Sequence, residues 1–126
     1  MRFERGSVSV EFAAILPLVA VAMLLVAQIG LLVAQQLTVQ HAAREGARSA
    51  AVTNDAAAAR DAVHRAGNLD PATTDVEVSP GSRAVGDPVT VMVTYRPGAM
   101  PMVGRFVPDG FVLRAAVTMR TEREAS

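Results

Sequence analysis

From Phe12 to Ala34 the chain runs for twenty-three residues without a charged side chain. As a helix this stretch spans roughly 34 Å at about 1.5 Å per residue, against about 30 Å for the hydrocarbon core of a bilayer. Burying it in a soluble core would demand more cover than the roughly ninety residues after it can supply. Pro17, Gln28 and Gly30 interrupt the apolar character, but none is charged, and Pro and Gly are tolerated in membrane helices. A cleaved secretory signal competes with this reading. Its apolar region runs for about 7–15 residues and ends in a small-x-small site. Ala20-Val21-Ala22 fits that pattern but lies inside the run, so a cut there would leave Met23 to Ala34 as a stray apolar end. The run therefore predicts a membrane-spanning helix.

The rest of the composition narrows the function classes. Twelve acidic and twelve basic residues give a formal charge of zero, which argues against a nucleic-acid partner. A hydrophobic fraction of 51% excludes a disordered chain, although aromatic residues make up only 4%. All the bases are Arg. Cysteine is absent, so neither a disulfide framework nor a thiolate site is available. Arg2 and Arg5 stand before the span, and Arg44 and Arg48 lie several residues beyond it. By Arg count the two sides nearly balance, and the short N-terminal head, easier to keep inside, favours a single pass with the N-terminus in the cytoplasm and the C-terminal part outside.

The first twelve residues read MRFERG-SVSVEF. Glu11 stands directly against the apolar run, and Val8 and Val10 carry the apolar pattern upstream of it. A carboxylate at this depth costs less than the roughly 3 kcal/mol of a helix centre, but it still calls for a compensating cation. No basic residue lies within a turn on its C-terminal side.

Gly6 followed by Ser7-Val8-Ser9-Val10-Glu11-Phe12 resembles the prepilin-peptidase site of tight-adherence (Flp-type) prepilins. The stretch Ala42-Ala43-Arg44-Glu45-Gly46-Ala47-Arg48 resembles TadE-like proteins, the minor pilins or pseudopilins of the same machinery. The resemblance implies cleavage between Gly6 and Ser7, with Glu11 at the fifth mature position and pairing with the amino terminus of a neighbouring subunit. Glu11 and Phe12 would form the assembly motif. The implied partners are the prepilin peptidase, an Flp-type pilin, a companion pseudopilin, and membrane platform proteins with a secretion ATPase. The bilayer is the other expected contact, with no small-molecule substrate and no cofactor.

Helical spacing continues beyond the span. Leu32, Val39, Ala43, Ala47 and Ala50 share one face, and His41, Arg44 and Arg48 another. Glu45 and Arg48 are spaced for an ion pair. The helix is expected from Val8 to about Val52, with a kink at Pro17, which leaves the Ala13 carbonyl without its usual donor. Gly46 weakens the case for strict continuity. Thr53-Asn54-Asp55 offers caps for a second helix over Ala56 to Ala66, with an Asp61–Arg65 pair and an end at Gly67-Asn68.

After Pro71 the period becomes two. Val76 and Val78, then Val89, Val91, Val93 and Tyr95, then Phe111, Leu113, Ala115, Val117 and Met119 read as three strands, each with one apolar face. The expected fold class is α+β and membrane-anchored: a long N-terminal helix, a short second helix and a small antiparallel sheet, resembling a pilin. The sheet's valine face would pack on the alanine-rich outer half of the helix. The expected organisation is a prepilin leader at 1–6, a transmembrane segment at 7–34, its extracytoplasmic continuation at 35–52 and a small head at 53–126. The apolar stretch Pro97 to Gly110 reads either as a flap over the sheet or as an interface.

Catalytic constellations are missing from the sequence. His41 and His64 lack zinc-ligand spacing and read as solvated helix residues, and no G-x-S-x-G or phosphate-binding loop occurs. Asp109-Gly110 reads as a turn. The expectation is a peptidase substrate acting in pilus assembly rather than an enzyme. The alternative is a membrane-anchored extracytoplasmic binding module that is not processed as a pilin.

Overall fold

The computed structural model describes residues 3–80, 84–97 and 112–122, with side chains from residue 6 onward. The element order is α1 (Phe3–Thr53), α2 (Ala56–Gly67), β1 (Thr74–Ser79), β2 (Pro88–Tyr95) and β3 (Leu113–Arg120). Residues 1–33 and 34–126 form two compact units. In the first, α1 runs through Pro17 without interruption, and every described residue from Gly6 to Ala27 is exposed.

The second unit is the α+β head. Its strands form one antiparallel sheet in the order β1-β2-β3. The period-two pattern places Val89, Val91 and Val93 on one face, all fully buried, beside Leu113 and Ala115. Val76, Val78, Tyr95, Val117 and Met119 flank them and are partly buried. This face joins Val39, Ala42, Ala43, Ala47, Ala50 and Ala51 of α1 with Ala59 and Val63 of α2 in a single core cluster. Each fully buried Val contributes about 1.5–3 kcal/mol, so the five of them form the main apolar driving force of this small unit.

Gly46 sits where the three elements meet. A Cβ built there would overlap Val63 Cγ2 and come within 3.2 Å of Val91 Cγ1. Its role is close approach, not a break, and α1 is continuous through it. Continuity fails at Asn54 instead, in the left-handed region at φ 52°, where its N–H donates to the Ala50 carbonyl. The Thr53 hydroxyl turns back to the Ser49 carbonyl at 2.7 Å. Asp55 is then the cap of α2, its carboxylate accepting from the Ala57 N–H at 2.9 Å. Asn68, also left-handed, ends α2. After β3 the chain returns to α1: the Glu122 N–H donates to the Ala51 carbonyl, one of the acceptors a helix C-terminus leaves unpaired.

Several expectations are corrected. Neither the Glu45–Arg48 nor the Asp61–Arg65 ion pair forms; among the described residues the one ion pair is Arg96–Asp75, at 3.3 Å. Arg65 Nε donates to the Asp61 backbone carbonyl instead. Arg48, Asp61 and Arg65 are exposed and Glu45 is half-buried, and a helix-surface ion pair of this kind is worth only tenths of a kcal/mol. His64 is half-buried rather than solvated, and its Nδ1 is buried with no hydrogen-bond partner. Phe111 and residues 98–110 lie outside the described residues, so the flap-or-interface reading of that stretch is not addressed.

Gly46→Ala tests the junction. Helix propensity would gain up to about 1 kcal/mol, whereas overpacking costs about 1–3 kcal/mol. A lower melting temperature of the head is expected by circular dichroism, and a higher one would show that the contact is slack.

Candidate functional site

The sequence singled out Gly6, Ser7, Glu11, Phe12 and Pro17, and α1 carries all five. All are exposed, Phe12 at 68%. Along the same unit Leu18, Met23 and Val26 are 69–70% exposed, and Ile15, Leu16, Ile29 and Leu31 are exposed as well. This is a helix apolar all round with none of that surface covered, long and apolar enough to cross a membrane. Lipid is the environment that such a surface fits.

Gly6 and Gly46 differ in what their surroundings require. A Cβ at Gly6 would meet nothing within 4 Å. Glycine in a helix costs up to about 1 kcal/mol relative to alanine, and here no packing gain offsets it. The fold gives no reason for glycine at position 6. Glu11 likewise lacks an intrachain partner among the described residues, where Arg96–Asp75 is the one ion pair. Ala13, Ala20 and Ala27 recur every seven residues, and a helix drifts only about 20° per seven. They therefore line one exposed stripe along which a second helix backbone could approach closely.

The family model described as TadE-like protein matches residues 6–48. Over that segment the chain is similar to TadE-like proteins. TadE-like proteins are pilin-like proteins of tight-adherence pilus systems and not an enzyme family. The TadE-like segment contains Gly6, Ser7, Glu11, Phe12 and Pro17, and it extends through Gly46 into the part of α1 that packs in the head. No curated protein and no solved structure matches the chain. Among the described residues no group of three or more metal-ligating side chains occurs.

Two functional features of the head went unread in the sequence. Gln36 Nε2 donates to the Arg114 carbonyl of β3 at 3.0 Å, and Arg60 Nε makes a longer contact of 3.5 Å to the Val76 carbonyl of β1. Each covers part of a sheet edge, and nothing in local spacing signals either. A shallow groove of about 430 Å³ lies at the end of α1 and β3, lined by Arg48, Ala51, Val52, Met119, Arg120 and Glu122.

Val21→Arg with Leu24→Arg places two guanidinium groups near the middle of the exposed apolar run, at about 2.5–3.5 kcal/mol each. The double variant should shift to the soluble or aggregated fraction on alkaline extraction, while Ala116→Arg in β3 should stay with the membrane. Retention of both variants would contradict a lipid-facing α1.

Proposed function

We propose that the chain is a minor pilin or pseudopilin of a tight-adherence (Flp-type) pilus or a related secretion apparatus. The carrying observation is the TadE-like match beginning at Gly6, on a helix whose apolar surface is wholly uncovered. In this reading the leader is residues 1–6, and a prepilin peptidase cuts between Gly6 and Ser7. The absence of any packing role for Gly6 supports this, because a peptidase that reads the backbone closely selects the smallest residue. The mature N-terminus then begins about one and a half turns before the apolar run, in the cytoplasmic membrane, with the head outside.

Glu11 acquires a role in the same frame. A carboxylate at the edge of lipid is disfavoured alone, and a neighbouring subunit's new amino terminus is a cation of suitable charge. A desolvated pair of this kind fixes register more than it adds stability. The alanine stripe supports helix-to-helix approach to an Flp-type pilin or a companion pseudopilin. Platform proteins and a secretion ATPase complete the proposed set of partners.

The test is the intact mass and N-terminal sequence of the protein made with and without its prepilin peptidase. A start at Ser7 that requires the peptidase and is lost in Gly6→Val is expected. An uncut chain beside active peptidase would leave the membrane-anchored binding module as the better reading.

A further inference from the structure

Among the described residues no strand pairs with the outer edge of β1 or of β3, and parity shows which backbone groups these edges present. The Arg96 N–H donates to the Thr73 carbonyl, continuing the β1–β2 ladder. Thr94–Asp75 and Met92–Glu77 are therefore hydrogen-bonded pairs, and Thr74, Val76 and Val78 point their backbone groups outward. On the other side, the Thr121 N–H donates to the Asp87 carbonyl, so Arg114, Ala116, Thr118 and Arg120 point theirs outward. Gln36 meets the Arg114 carbonyl and Arg60 approaches that of Val76, as the parity requires. Among the described residues, no backbone group pairs with Ala116 or Thr118 on the outer side of β3.

The exposed face of the sheet is charge-segregated along the same direction. β1 carries Asp75 and Glu77, and β3 carries Arg114 and Arg120, all exposed. Two copies related by a two-fold axis would pair β1 with β1 or β3 with β3, setting acid against acid or arginine against arginine. Copies related by a displacement across the strands would set the arginine edge of one against the acidic edge of the next. Like charges opposite one another destabilise strand pairing and unlike charges favour it.

We infer that the heads of neighbouring copies associate head to tail, the β3 edge of one lying parallel beside the β1 edge of the next, with Arg114 opposite Asp75 and diagonal to Glu77. The occupant of each edge is a second copy of this chain. Such a heterologous contact leaves a free edge at each end and so propagates. The inference rests on the pilin reading for the membrane-bound arrangement in which copies meet.

Ser79, Thr90 and Thr118 share one row of the sheet, so in this contact Ser79 of one copy stands beside Thr118 of the next. The chain has no cysteine of its own. Full-length Ser79→Cys/Thr118→Cys protein in proteoliposomes, mildly oxidised, should give a ladder of dimers, trimers and larger species. Each single variant should remain monomeric. Adding Arg114→Glu should reduce the ladder about tenfold, with an unchanged circular dichroism spectrum. Dimers from either single variant, or a double variant without a ladder, would overturn the head-to-tail contact. Read by mass on the same protein, a Ser7 start without a ladder would sink the edge contact alone. An uncut chain that still forms the ladder would sink the pilin reading alone.

Discussion

The head depends on how closely the backbone of α1 approaches its neighbours. At Gly46 there is no room for a Cβ between α1, Val63 of α2 and Val91 of β2. Ala42, Ala43, Ala47 and Ala50 extend the same low surface above and below it, all fully buried. A sheet with one apolar face must bury that face against another element. Here the small residues of α1 let that face come close enough for the valines to make full contact. Larger side chains at these positions would hold the sheet off the helix and leave voids that cost as much as the burial gains.

α1 therefore uses two different apolar vocabularies. Before residue 34 the side chains are Phe, Ile, Leu, Met and Val with alanine between them, and they are exposed. After it the buried positions are almost all alanine, with Val39 the one large exception. Large side chains maximise contact with a fluid solvent of lipid chains, and small ones permit close packing against fixed structure.

That distinction explains how much the sequence disclosed. Period-two alternation located all three strands and their buried face, because a half-buried sheet forces the pattern residue by residue. The turn chemistry at Asp55 and Asn68 bounded α2 for an equally local reason. Gly46 was read as a weakness in the helix, since propensity is visible in one dimension and the approach of Val63 and Val91 is not. The Gln36 and Arg60 contacts are farther from view still, each joining residues from separate elements with no spacing rule between them. The Glu45–Arg48 and Asp61–Arg65 pairs erred the other way: spacing permits them, but such a pair on a helix surface gains only tenths of a kcal/mol, too little to dictate the geometry of two long side chains. At the N-terminal segment the motif was legible at once. What the fold adds is that Gly6 has no packing role.

In the proposed assembly, both modes of contact are degenerate until a charge intervenes. A stripe of alanines repeating every seven residues lets a neighbouring helix slip by about 10 Å and find the same surface. A β edge slipped by two residues still satisfies its ladder. Neither backbone complementarity nor apolar area distinguishes the right register from the next one. A lone carboxylate at Glu11 does so for the helices, because only one offset gives it a cation. At the sheet edges the exposed charges select orientation instead: arginines on β3 and carboxylates on β1 penalise two-fold pairing. The value of these charges lies in the difference between competing arrangements rather than in the strength of any one pair, which is why modest exposed charges suffice.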